Sequence, residues 1–341
     1  MNGKKLKEAY VGLSKYAEEQ GVLYTEKEIK MHVFGPKDLC DSELYFRFKQ
    51  DDYPDSKLLP DEAFSYHQRG FCFLRDAIDP SRVRAAREYI DSQYKSWLTM
   101  SKRQDDWRIH LLLNLETLAE VPIEHAPLLN MVLNSPKILG RLEDIIGSKP
   151  TSCFYNQVAY RTPLVNYSPS ILNYTPGAEY HIDGQANDYG TRFPDPWTVL
   201  IAVAFVDIDS LDMGNFTVFP GTHASRNWSS YPEEKRLKTL PSLGEPFKVQ
   251  LKAGDCVFVH VLLPHRGGKN ITTSEDAIQS GIDYEGLLNI PQGTREMMIF
   301  RFRGSHIDYN HPNRSPSVLN DPFFEHGRVV RLVQESNEAS K

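Results

Sequence analysis

His181-Ile182-Asp183 sets an imidazole and a carboxylate two residues apart, and His265 supplies a second imidazole much later in the chain. Two imidazoles and one carboxylate on one face of a metal leave the opposite positions open, which is the ligand set of a non-haem Fe(II) oxygenase. A 2-oxoglutarate co-substrate would also need a basic residue for its far carboxylate. Arg295, at the head of a strand-like run beyond His265, offers one. The H-x-[DE] motif alone decides little. With 11 histidines and 45 acids in 341 residues, chance gives about 1.5 matches, so context must choose. The second match, His306-Ile307-Asp308, lies near the C-terminus and is followed only by His311 and His326 in polar sequence. His181 heads a long β-rich region. The ligand set is therefore His181, Asp183 and His265, against a purely structural role for the same residues.

Other side chains carry weaker signals. His223 sits in the turn Pro220-Gly221-Thr222-His223 and reads as a loop or rim residue. His260 precedes His265 by five residues, so on one extended strand the two would point to opposite faces; packing is its default role. Arg295 shares a strand face with Met297, Ile299, Arg301 and Arg303. An interior arginine is costly unless paired, and a bound dicarboxylate would pair it; the alternative is a surface arginine at a strand start. Arg301 and Arg303 are substitutes farther along. Arg161 could touch co-substrate or substrate, or make a surface salt bridge, and Trp197 is a pocket or core aromatic.

The elements that must position these residues are mostly strands. Candidates are residues 153–160, 171–174, 198–206, 216–219, 247–251, 255–262 and 295–303, separated by Pro176-Gly177, Pro220-Gly221, Ala253-Gly254 and Gly267-Gly268. Many short strands without alternating helices argue for a closed or sandwiched antiparallel sheet such as a jelly roll. Helices flank it. Asp79-Pro80-Ser81 caps one that runs to about Trp97. Another spans 126–133, and a third starts at Ser135-Pro136 and stops at Gly147. The chain divides into a helical and irregular extension over 1–60, one domain over 61–334 with its jelly-roll core at about 151–305, and a disordered tail over 335–341.

Composition narrows the function. The net charge is −6 with no basic block, which argues against nucleic acid. The N-terminus is charged and lacks an apolar signal region, and no apolar run approaches a membrane span. Cys40, Cys72, Cys153 and Cys256 are scattered. Cys72 and Cys256 fall inside apolar runs, so they read as buried free thiols in a reducing, cytoplasmic setting. A small-molecule substrate is implied, with no nucleic acid, membrane or obligatory protein partner.

Several stretches together resemble the phytanoyl-CoA dioxygenase family of Fe(II)/2-oxoglutarate oxygenases, from about Phe64 to Phe302. Arg69-Gly70-Phe71-Cys72-Phe73-Leu74-Arg75-Asp76 resembles the family's opening strand, and Arg161-Thr162-Pro163 its basic-x-Pro step. Trp197 is similar to a family tryptophan. The run from Gly214 to His223 resembles the Gly…Pro-Gly-Ser-His turn, and the run from Gly254 to His265 the segment that carries the distal ligand, with Asn270 following.

The resemblance implies a mainly β fold with flanking helices, an α+β chain around a double-stranded β-helix (a cupin-like jelly roll). It implies Fe(II) on His181, Asp183 and His265. It also implies 2-oxoglutarate held by Arg295, with Arg161 and Trp197 near it, and O2 as oxidant. The expected reaction is C–H oxidation of a small organic substrate by hydroxylation, desaturation or ring closure, with release of succinate and CO2, in natural-product or amino-acid-derived metabolism. The alternatives are a fatty acyl-CoA hydroxylase, a cupin-type metal-binding protein that does not use 2-oxoglutarate, and a β-sandwich with structural histidines. Two positions depart from the family. Arg295 stands thirty residues after His265, beyond a polar insertion from about Ile271 to Thr294, which is farther than usual. Gly267 stands where the family often has a hydroxyl.

Overall fold

The computed structural model describes residues 57–87, 108–113, 135–148, 150–152, 156–161, 180–183, 197–225, 243–268, 270–271, 293–304, 306–308 and 313–339. The expected N-terminal helix, the strand at 171–174 and the helix at 126–133 lie outside them, as does most of the 271–294 insertion.

Ten described strands form two antiparallel sheets. In chain order they are β1 (Phe71–Leu74), β2 (Arg108–Leu113), β3 (Pro150–Ser152), β4 (Asn156–Arg161), β5 (Val199–Ala204), β6 (Phe216–Val218), β7 (Phe247–Lys248), β8 (Cys256–His260), β9 (His265–Gly267) and β10 (Arg295–Gly304). The large sheet runs β1-β8-β5-β10-β4-β2, with β3 pairing the far end of β10; the small sheet runs β7-β6-β9. The helices are α1 (Pro60–Arg69), α2 (Pro136–Ile146), the single turn α3 (Thr222–Ser225), α4 (Arg314–Asn320) and α5 (Gly327–Ala339). Residues 80–87 are helical as expected; the continuation toward Trp97 is not among the described residues.

Period-two alternation sorts the large sheet into two cores. Val199, Ile201 and Val203 of β5, Cys256 and Phe258 of β8, and Met298, Phe300 and Phe302 of β10 pack with α1, α2 and α5. Leu200, Ala202 and Ala204, Val257 and Val259, and Met297 and Ile299 face the other way and cluster with Phe216 and Val218 of the small sheet. The space between the sheets is thus a second, interior core. Arg161 follows inward-facing Ala159 by two residues, and Arg295, Arg301 and Arg303 share the inward face of β10; all four are buried.

The helices are stapled by charge. Pro60 opens α1, Glu62 accepts the Leu59 N–H at 2.9 Å, and Gly70 ends the helix at φ 83°. Arg141 of α2 pairs with Glu62 at 2.9 Å, and Arg328 of α5 pairs with Asp144 at 2.9 Å. Gly147 ends α2, as its sequence position indicates.

Two expectations change. The segment reaching His265 is not one strand. β8 ends at His260, a turn crosses the gap between the sheets, and His265 opens β9 in the small sheet. The chain from Glu335 continues α5 as far as Ala339 instead of fraying. Its Val329 and Val333, one helical turn apart, are both buried and anchor it. Strand β2 and helices α1, α4 and α5 have no counterpart among the expected elements.

Cys72 and Cys256 are buried free thiols, as expected. Among the described residues no helix is long and apolar enough to cross a membrane.

Candidate metal centre

His181 and His265 are joined before any metal is considered. The His181 N–H donates to the His265 carbonyl at 3.1 Å, and the His265 N–H donates back at 2.9 Å. This reciprocal pair adds residue 181 to the small sheet beside β9 and sets the two rings 4.7 Å apart. The chain then turns, and Asp183 comes round so that Oδ1 lies 3.3 Å from His181 Nε2 and 3.5 Å from His265 Nε2. One ligand atom from each of the three residues lies within 4.8 Å of the others, the sole such group among the described residues.

Two of the three donors are prepared. His265 Nδ1 lies 3.0 Å from the Leu263 carbonyl, which fixes the proton there and leaves Nε2 as the lone-pair nitrogen. Phe216 stacks on the ring at 5.3 Å. Burial works to raise the Asp183 carboxyl, but Arg301 foremost, then the two imidazoles, hold it well below the usual carboxylate range. It is an anion ready to ligate. Asp183 and His265 are buried, while the His181 side chain is about half exposed (48%), so the group opens to solvent on one side.

A second feature lies in the same interior. Arg295 of β10 sits directly opposite Arg161 of β4. Both are buried. Arg295 makes one long contact, Nη2 to the Ala159 carbonyl at 3.4 Å. Its Nε and Nη1 find no partner among the described residues. Burial, and then the charge of Arg161, press its pKa well below the arginine range. A guanidinium does not surrender its proton in a protein, so that pressure is a demand for an anion. Arg161 also lies against β9: a Cβ on Gly267 would stand 2.8 Å from its Nε and closer still to Nη2. Glycine at 267 makes room for that guanidinium, two residues from His265 of the candidate metal centre, which accounts physically for the missing hydroxyl.

Trp197 is buried at the entry to β5, with its ring 5.7 Å from the Arg301 guanidinium. His306 stands on the surface, its Nδ1 2.7 Å from Ser148 Oγ, and takes no part. The pairing of Arg301 with Asp183 escaped the sequence reading. The available signal was a third arginine on the inward face of β10, where a buried charge needs a partner.

His223 and His260 belong to a separate buried cluster with His326 and Tyr66. Ring centroids are 4.9 Å apart for His223 and His260 and 4.5 Å for His260 and His326. His260 is locked neutral: Nε2 donates to the Pro322 carbonyl at 2.8 Å and Nδ1 accepts the Leu262 N–H at 3.0 Å. Burial lowers the His223 pKa to about 4, that of His326 to about 3, and that of His260 well below 6.5. The unfolded chain takes up these protons below about pH 6.5 and the folded chain does not. Stability is therefore full above pH 6.5 and falls as pH drops toward 4, by up to about 1.4 kcal/mol per pH unit for each imidazole. Urea unfolding at pH 7 and pH 5 should show a clearly lower midpoint at pH 5. Equal midpoints would mean that the cluster carries no such linkage.

Residues 66–276, more than half of the chain, match the family model "Phytanoyl-CoA dioxygenase (PhyH)". The match contains His181, Asp183 and His265 and stops short of β10, earlier than the resemblance suggested. The interruption falls in the insertion, while the register of β10 against β4 and β5 is unbroken. No curated protein matches the sequence. Among solved structures, the chain is similar to the "non-heme alpha ketoglutarate dependent carbocyclase SnoK from nogalamycin biosynthesis", with 14% identity, 74% of this chain and 86% of that one covered, and a TM-score of 0.49. HygX from Streptomyces hygroscopicus with nickel and 2-oxoglutarate bound gives 13% identity, 74% and 90% coverage and a TM-score of 0.47. Likenesses this distant say nothing of substrate or reaction. The family match, over the segment that contains His181, Asp183 and His265, makes this chain a member of the phytanoyl-CoA dioxygenase family of non-haem iron oxygenases.

Proposed function

We propose that the protein is an Fe(II)- and 2-oxoglutarate-dependent oxygenase that oxidises a C–H bond of a small organic molecule. The catalytic domain would span residues 61–334 around a double-stranded β-helix, in the cytoplasm. The observation that carries the reading is the buried, partner-seeking Arg295 on the same interior surface as the His181, Asp183 and His265 group. A metal site alone would fit any cupin-type protein; a metal site beside a buried guanidinium pair fits a metal plus a dicarboxylate.

His181 Nε2, His265 Nε2 and Asp183 Oδ1 would hold the iron, and Arg295 the distal carboxylate of 2-oxoglutarate, with Arg161 adding a second positive charge. Bound together with O2, these groups supply the oxidising power for C–H cleavage, with succinate and CO2 released. The protein positions and shields. The interior core keeps water from the buried side, and the half-exposed face of His181 marks where substrate approaches. The net charge of −6, with no basic run to receive CoA phosphates, favours a natural product or amino-acid-derived molecule over an acyl-CoA.

The test is succinate formation from 2-oxoglutarate by the purified protein, with and without Fe(II) and with pooled small-metabolite extracts. Iron-dependent succinate that rises with one extract fraction is the expected result. Stoichiometric metal binding without succinate under any condition would favour the cupin-type reading.

A further inference from the structure

We infer that Arg301 is a positioning residue for the metal-binding carboxylate: it occupies Asp183 Oδ2, confines that residue to a single ligand oxygen, and so keeps a coordination position open for the co-substrate. The inference rests on the metal-site reading above.

The two oxygens of Asp183 have separate surroundings. Oδ2 receives Arg301 Nε at 2.7 Å and Nη2 at 2.7 Å. Oδ1 faces the two imidazoles at 3.3 and 3.5 Å. A carboxylate with both oxygens free can chelate a metal and take two positions. One whose second oxygen is held by two charge-assisted hydrogen bonds offers only the first. In a facial two-histidine, one-carboxylate site the open positions are the working ones, so chelation by Asp183 would remove one from the co-substrate or from oxygen.

Arg301 is itself held. It pairs across the sheet with Leu200 near the start of β5, and the Trp197 ring lies 5.7 Å from its guanidinium. The Trp197 carbonyl accepts Arg314 Nη2 at 2.9 Å, and Arg314 is locked to Glu325 at 2.6 Å. The C-terminal segment thus braces the residue that braces the ligand. Side chains that orient metal ligands in this way commonly matter about 10- to 100-fold for affinity or activity.

The experiment uses the whole chain loaded with Ni(II), comparing wild type, Arg301→Met and Arg301→Lys. Calorimetry measures metal binding, then 2-oxoglutarate binding to the metal-loaded protein, and a crystal structure of each shows how many Asp183 oxygens touch the metal. Arg301→Met should retain metal affinity, place both oxygens on the metal and lose about tenfold or more in 2-oxoglutarate affinity. Arg301→Lys, which keeps the charge and one direct donor, should lose less. A merely structural role would lower melting temperature, metal affinity and co-substrate affinity together in both variants. That result overturns the inference, as would a one-oxygen Asp183 with wild-type 2-oxoglutarate affinity in Arg301→Met. Should wild-type protein itself fail to bind 2-oxoglutarate, the proposed function falls, and the Asp183 geometry in the Ni(II)-loaded variants still decides the role of Arg301.

Discussion

Asp183→Ala will abolish turnover and metal binding, and it will also cost more stability than either histidine substitution. The loss of function follows from the ligand count: one of three donors is gone, so metal affinity should fall by more than the roughly 100-fold upper range of a supporting residue. The stability cost has a different source. Arg301 is buried and places two donors on Asp183 Oδ2. Removing the carboxylate strands a charge in the interior, at a cost on the order of 3–5 kcal/mol. Asp183→Asn keeps an acceptor for that guanidinium and should be nearly as dead with a smaller cost. His181→Ala removes a half-exposed ring and should barely change the unfolding midpoint while still eliminating turnover. Iron stoichiometry, succinate release and urea unfolding on the three variants check this ordering. Full iron occupancy in any one of them would remove that residue from the site.

Arg295→Met will weaken 2-oxoglutarate binding by about 2–5 kcal/mol and at the same time leave the ligand-free protein as stable as wild type or more so. The opposite signs come from one fact. Without co-substrate, Arg295 is a buried guanidinium with two unpartnered nitrogens facing the like charge of Arg161. Replacing even a buried ion pair with apolar side chains of similar volume is often neutral or stabilising, by about 1–4 kcal/mol, and a cation without its anion has less attraction to lose. With co-substrate, the same nitrogens meet a carboxylate and the guanidinium becomes an asset. Arg295→Lys keeps the charge and loses the fork, so its loss should be intermediate. The checks are the 2-oxoglutarate KM, with substrate KM little changed, and thermal unfolding without ligands. A destabilised Arg295→Met with an unchanged KM would move attention to Arg161, Arg301 and Arg303.

The candidate ligand group was legible because its residue types are scarce in combination and its motif heads a β-rich region. His306-Ile307-Asp308 has the same letters and stands on the surface, so the surroundings separated the two, not the motif. Strand β5 was legible as a continuous apolar run, which is what a strand packed against a core on each face requires. What stayed hidden is contact across long sequence separation. Nothing local says that Arg301 reaches Asp183, or that Arg161 stands opposite Arg295 and leans on Gly267. Those pairings come from strand register, which the pattern of one strand cannot set. The crossing of residues 261–264 was missed because a turn buried within an apolar run looks like more strand. Helix α1 was missed because, of its ten residues, only Ala63 and Tyr66 are buried, too thin an apolar stripe to read as helix.

A crystal structure of the whole protein soaked with Ni(II) and 2-oxoglutarate tests the central claim most directly. The expected result is one metal ion on His181 Nε2, Asp183 Oδ1 and His265 Nε2, with 2-oxoglutarate on the metal and its distal carboxylate against Arg295. A metal ion held elsewhere, or a co-substrate whose distal carboxylate lies away from Arg295 and Arg161, would contradict it.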